Sequence, residues 1–195
     1  MPKVIDDKAV FRAALDALAA FGYESATTRN IAEAAGIHEA TLFRKYGSKL
    51  NLIELAIKAH FLDVPLARVA YTGDLHADLL SIIEAYQRTS ELVGNILPIL
   101  LIEIPRNPEI KNLLDVPWEN VDRIGRILEQ YQEKHLLNQE PVLNTISVLI
   151  GPLMVRNLIK ETYMGLPIPP IDPQIYVEDF LLGHGDQTKG HTGIP

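Results

Sequence analysis

Residues 27–52, TTRNIAEAAGIHEATLFRKYGSKLNL, restrict the fold more than any other part of this 195-residue chain. Ile31, Ala32 and Ala35 recur at helical steps behind Thr27-Thr28, whose hydroxyls suit a helix N-cap. Gly36 then stands where a tight turn needs a left-handed residue. A second short helix is predicted over 38–43, anchored inward by Leu42 and closed by Gly47, with Ser48 capping the helix that follows. Ala32, Ala34, Ala35 and Ala40 are small enough for two helices to cross closely, and Ile31, Ile37 and Leu42 hold the crossing. This is the pattern of a helix-turn-helix, whose second helix leaves His38, Glu39, Thr41, Arg44 and Lys45 on its outer face.

The rest of the chain is helical in pattern almost throughout. Val10, Phe11, Ala14, Leu15, Leu18 and Phe21 predict an amphipathic helix over 6–20, with Asp6 and Asp7 at its start and Gly22 at its stop. Leu50, Ile53, Ala56, Ile57 and Phe61 mark a longer helix that Pro65 should break near 62–65. Further helices are predicted over 75–93, 97–104, from an Asn107-Pro108 cap, over 117–137, 141–164 with a bend at Gly151-Pro152, and 172–182. Residues 166–171 read as a proline-rich loop and 183–195 as a disordered tail. The predicted class is all-α: a three-helix domain over 1–48, with its motif at about 28–47, and a larger helical domain over 49–182.

The absence of cysteine rules out disulfides and thiolate chemistry and fits a reducing cytoplasm. The N-terminus has no signal-peptide pattern, and apolar runs such as 96–102 are too short to span a bilayer, so no membrane association is expected. The six histidines show no metal-ligand spacing, and no nucleophile elbow, phosphate loop or zinc helix is present, so neither catalysis nor a cofactor is expected. The net charge of −7 would argue against a nucleic-acid partner if it were evenly spread. It is not: residues 28–49 carry Arg29, Arg44, Lys45 and Lys49 against only Glu33 and Glu39. A local basic face of this kind can meet phosphates, and Thr28 at a helix start can hold a phosphate oxygen.

In this segment the chain resembles the TetR family of bacterial regulators. Their pattern, T-x-x-x-I-A-x-x-A-G-x-x-x-x-T-L-Y-x-x-F-x-x-K-x-x-L, is met by Thr27 or Thr28, Ile31, Ala32, Ala35, Gly36, Thr41, Leu42, Lys49 and Leu52, with Phe43 for the tyrosine and Tyr46 for the phenylalanine. The resemblance implies a dimer that reads a palindromic operator in double-stranded DNA, with repression relieved by a small-molecule effector. It implies phosphate contacts from Thr28, Tyr46 and Lys49, and base approach by Arg29, His38, Glu39, Ala40 and Arg44. Phe43 lacks the hydroxyl that the family's tyrosine offers a phosphate. His38 replaces a common serine and weakens the N-cap, and Glu39 brings an acid that either accepts from a cytosine amino group or simply favours the helix dipole.

The larger domain resembles the family in plan only. Its last two helices, about 141–164 and 172–182, are expected to pair with a second copy. Tyr86, Leu101, Trp118, Tyr131, Met154 and Asn157 are the candidates to line a largely hydrophobic effector pocket, with Glu103, Asn120 and Arg156 as polar candidates. Pro65 would weaken the connecting helix where effector binding must move the DNA-reading head. The alternatives are a helical small-molecule-binding protein, or a DNA-binding regulator without a functional pocket.

Overall fold

The computed structural model describes residues 5–162 and 168–185. In chain order the helices are α1 (Asp7–Ser25), α2 (Thr28–Ala34), α3 (Glu39–Tyr46), α4 (Lys49–Phe61), α5 (Leu75–Val93), α6 (Ile96–Glu103), α7 (Asp115–Glu133), α8 (Val142–Thr162) and α9 (Pro173–His184). Two 3₁₀ segments, Pro65–Arg68 and Pro108–Leu114, interrupt them. Among the described residues the one extended pairing is an isolated antiparallel bridge between Leu137 and Gly185. The all-α class is therefore as expected. The chain divides into two compact units, Met1–Asp63 with Val93–Trp118, and Val64–Leu92 with Glu119–Pro195.

In the first unit, local chemistry sets most helix ends. Asp6 caps α1 by accepting from the Lys8 N–H at 3.0 Å. Gly22, at φ 73° and ψ 175°, ends the regular part of that helix, and a last turn follows it. Thr27 accepts from the Asn30 N–H at 3.2 Å and Ser48 from the Asn51 N–H at 3.1 Å, so both predicted caps are in place. Gly36, at φ 65°, makes the turn between α2 and α3. The core of the unit includes Val10, Ala14, Leu18, Ile31, Leu42, Leu52, Ile53 and Ile57.

Helix α3 runs to Tyr46, past the predicted end at Phe43. Tyr46 is a second buried anchor, four residues after Leu42, and Arg44 and Lys45 suit a helix C-terminus. The unit also takes in more than the 1–48 span. Helix α6 packs on α1, and the 3₁₀ helix Pro108–Leu114 packs on α4. Asn107 does not cap the segment after it. Its side-chain amide turns back to Glu103 Oε2 at 2.9 Å, and the segment is 3₁₀ rather than α.

At the start of the second unit, Val64 is extended (φ −84°, ψ 158°), and α4 has already ended at Phe61, as Pro65 predicts. Leu79, Ile82 and Ile83 of α5 and Leu128 and Tyr131 of α7 are fully buried. Helix α7 starts at Asp115, ahead of the predicted Pro117, because a proline in the first turn forfeits no hydrogen bond. It stops at Glu133, short of 137, and His135 leaves the helix with φ 54°. Helix α8 continues through Gly151 and Pro152. Asp172 caps α9, accepting from the N–H groups of Gln174 and Ile175 at 2.9 and 3.4 Å.

Gly183 and His184, read from sequence as the start of a tail, belong to α9. The His184 ring stacks on Phe180 with centroids 5.0 Å apart, and its carbonyl accepts from the Asn138 N–H at 3.1 Å. The predicted end of α8 at 163–164, part of the 166–171 loop, and 186–195 lie outside the described residues. The 19 residues Val142–Lys160 are long and apolar enough to cross a membrane by length and composition, and only 17% of that stretch is buried within the chain.

Candidate nucleic-acid interface

The site is built on a helix of eight residues, α3, which buries Leu42 and Tyr46 and turns its other side outward. His38, Ala40, Phe43, Arg44 and Lys45 are exposed, and Glu39 and Thr41 are half-buried. His38 occupies the N-cap position without a side-chain bond, the weak cap expected from replacing a serine. On α2, Arg29 is exposed and Thr28 half-buried. The backbone thus presents most of the sequence-predicted DNA-facing residues on adjoining elements.

Thr28, Glu39, Lys45 and Tyr46 already have side-chain partners. The Thr28 hydroxyl donates to Glu39 Oε1 at 2.5 Å. The Lys45 ammonium and the Tyr46 hydroxyl both donate to Asp7 Oδ1 at the start of α1. The Lys45 and Tyr46 hydrogen bonds hold the Asp7 carboxyl below its usual range. Burial, and then the bond to Asp7, push the Tyr46 phenol far above its usual value, so it keeps its proton. The Tyr46 ring also packs on Phe11, with centroids 5.9 Å apart.

Lys49 turns toward the end of α1. Its ammonium donates to the Tyr23 carbonyl at 2.7 Å and the Glu24 carbonyl at 3.3 Å, and lies 4.2 Å from the centre of the Tyr23 ring. Burial lowers its pKa, against the opposing charges of Glu24 and Glu109. A cation on the last carbonyls of a helix complements that helix's dipole.

Asp7 is the member of this cluster that sequence reasoning missed. As one of two acids at a helix start it reads as ordinary dipole complement, and nothing local signals a partner 38 residues away.

The effector candidates are divided between the two units. Leu101 on α6 and Trp118 on α7 belong to the first unit and are 37% and 40% exposed. Within the second unit, Tyr86 and Asn157 share a side-chain hydrogen bond close to Tyr176. Burial raises the Tyr86 phenol to about 12 despite that bond. Met154 is half-buried on α8. Tyr131 is wholly buried and donates its hydroxyl to Asp78. Of the polar candidates, Glu103 accepts from Asn107 and Arg156 donates to the Pro169 carbonyl. Arg123 on α7, not singled out from sequence, has its Nε buried without a hydrogen-bond partner among the described residues.

Residues 10–56 match the family described as bacterial regulatory proteins, tetR family. The chain is 37% identical over 76 residues to the HTH-type transcriptional regulator YvkB of Bacillus subtilis, a match spanning 39% of this chain and 40% of that relative. It is 26% identical over 166 residues to the HTH-type transcriptional regulator Mb1581 of Mycobacterium bovis, covering 83% of this chain and 78% of that one. Among solved structures, the fatty acid degradation regulator FadR from Bacillus halodurans superposes with a TM-score of 0.64 at 17% identity, over 93% of this chain and 96% of that chain. The last likeness is one of fold. The geometry of α2, Gly36 and α3 and the family match over the same residues agree: over residues 10–56 the chain is similar to the tetR family of bacterial regulatory proteins.

Proposed function

We propose that this chain is a ligand-responsive transcriptional repressor that binds a palindromic operator as a homodimer and is released by a small, largely hydrophobic effector. The observation that carries the DNA-reading part is α3. Leu42 and Tyr46 hold it from behind, while His38, Ala40, Phe43 and Arg44 face outward. In a helix-turn-helix this helix enters the major groove, so Arg44, Arg29 and His38 approach bases, while Thr28, Lys45 and Lys49 lie near phosphates. In this reading residues 1–48 read DNA, and 49–182 hold the effector and the second copy. The protein works in the bacterial cytoplasm.

Dimerisation is supported by the outer faces of α8 and α9. Leu143, Val148, Val155 and Ile159 on α8, and Ile175 and Leu182 on α9, are between 41% and 76% exposed. Apolar side chains along two helices of one unit form a patch that water covers poorly and a second copy covers well. Two copies then place their recognition helices about one turn of DNA apart, roughly 34–36 Å, or a multiple of it.

The Tyr86–Asn157 pair, with Met154 on the same helix as Asn157, supports an effector site of mostly apolar lining with a few polar groups. An effector acts by its differential affinity for the DNA-competent and incompetent states.

Selection of random duplexes by the purified protein at two salt concentrations tests the reading. An enriched palindrome supports a sequence-specific dimer. Weak, salt-sensitive retention with no enriched site removes it. Thermal-shift screening of apolar compounds tests the effector part, because a ligand selective for the folded state raises its melting temperature.

A further inference from the structure

We propose that Asp7 and Glu39 are affinity-setting residues that occupy the phosphate-binding donors of the DNA-free protein and so lower its affinity for any duplex. The inference rests on the DNA-binding reading above.

The chemistry is a matter of counting protons. A phosphate oxygen accepts hydrogen bonds and donates none. The Thr28 hydroxyl has one proton, and it goes to Glu39 at 2.5 Å. The Tyr46 hydroxyl has one proton, and it goes to Asp7. Lys45 has three, but its charge is paired with the same Asp7 oxygen. Thr28 and Lys45 on the DNA-facing surface, and the hydroxyl of the largely buried Tyr46 beside them, are therefore committed to two carboxylates that come from the helix starts of α1 and α3.

A duplex that approaches this surface has to displace those carboxylates or lie against them. Either costs affinity, because carboxylate and phosphate repel and the freed acceptors lose charge-assisted bonds. The Asp7 penalty belongs to the free protein, so it acts on operator and random DNA alike. Glu39 stands on the recognition helix itself. A cytosine amino group in the operator can take over as its partner, which frees Thr28 for phosphate.

The opposite role is structural. If Asp7 serves only to hold α3 in place through Lys45 and Tyr46, its loss misplaces the reading helix and weakens binding. The two roles differ in sign.

The test compares the wild type with Asp7→Asn, Glu39→Gln and Glu33→Gln. The last removes the same charge from α2, outside both contacts. Binding of a random-sequence duplex and of a selected duplex is measured at two salt concentrations, along with the salt needed to elute each protein from heparin. Asp7→Asn is expected to tighten both duplexes by a similar factor, about five-fold at low salt, the equivalent of one unit-charge interaction at contact distance in water. Its salt slope steepens by about 0.9, one more phosphate contact. Glu39→Gln tightens random-duplex binding by a comparable factor. Both variants elute from heparin later than Glu33→Gln.

Unchanged or weaker binding by Asp7→Asn and Glu39→Gln, or gains no larger than those of Glu33→Gln, overturns the proposal. Melting curves identify a misfolded variant, and the two contacts are tested independently. If the wild type selects no duplex, the DNA-binding reading fails, while the heparin order still reports whether the carboxylates hold back an anion-binding surface.

Discussion

The Tyr131 hydroxyl on α7 donates to the Asp78 carboxylate on α5, joining residues 53 positions apart inside the second unit. Asp78 is 2% exposed and also accepts from the Thr72 N–H at 2.8 Å and the Thr72 hydroxyl at 2.6 Å. Burial alone would raise its pKa, but the bonds from Thr72 and Tyr131 and from the Thr72 and Gly73 amides outweigh it and hold the carboxyl below its ordinary value. Tyr131→Phe removes one of these donors without creating a cavity. It is expected to destabilise the protein by about 1–3 kcal/mol, the cost of leaving a buried charged acceptor short of a partner. Urea unfolding measures this, and a variant as stable as the wild type would contradict the assignment.

Gly22 sits against Glu103 within the first unit. A Cβ at residue 22 would lie 2.6 Å from Glu103 Oε1, and the backbone there has φ +73°. Its ψ of 175° puts it in a region open almost only to glycine. Gly22→Ala is expected to cost about 1–3 kcal/mol. Gly22→Ala with Glu103→Ala relieves the side-chain clash but not the backbone strain, so denaturation of the double variant should show only partial recovery.

Lys49 anchors the end of α1 through two carbonyls and the Tyr23 ring. Lys49→Ala is expected to lower stability by about 1 kcal/mol, in the range of a charge on a helix C-terminus. The comparison that matters is between unfolding and DNA binding. If the variant melts like the wild type and loses one unit of salt slope, Lys49 is a phosphate contact and not an anchor.

Val155, 51% exposed on α8, lies in the face read as the contact with a second copy. Val155→Glu puts a charge there without disturbing the buried side of the helix. Sedimentation is expected to shift from dimer to monomer with the circular dichroism spectrum unchanged. A variant with the wild-type sedimentation coefficient would move the contact elsewhere.

The Asp7 pairing makes stability depend on pH in a definite direction. The Asp7 pKa is lower in the folded protein than its ordinary 3.8. Its stabilising contribution is therefore present above about pH 4 and is lost as pH falls through the folded value. The gap in melting temperature between wild type and Asp7→Asn should be constant at neutral pH and close in acid. A gap that stays constant down to pH 2 would show that the pairing is not what stabilises.

The features that were legible in the chain are those fixed by neighbours in sequence. Thr27, Ser48 and Asp172 cap helices because each oxygen reaches an N–H two or three residues on. Gly36 turns and Pro65 breaks for reasons contained in the residues themselves. The helix-turn-helix was legible for the same reason. What could not be read depends on distant partners. Asp7 joins the α3 cluster only because α1 brings it to Lys45 and Tyr46. Asn107 makes no side-chain cap, and its amide N–H instead donates back to Glu103. The placement of α6 and residues 108–114 in the first unit follows from packing on α1 and α4, which no local pattern records.

Helix α3 has eight residues and an N-cap with no side-chain bond. A helix that short does not persist alone in water, so its order is borrowed from Leu42 and Tyr46 behind it. A genetic screen for lost regulation would therefore return two kinds of allele at this helix. Substitutions at Arg44 would leave a stable protein that reads DNA badly. Substitutions at Leu42 or Ala32 would give the same phenotype through a reading helix that has melted, and only protein abundance or hydrogen exchange would tell the two apart.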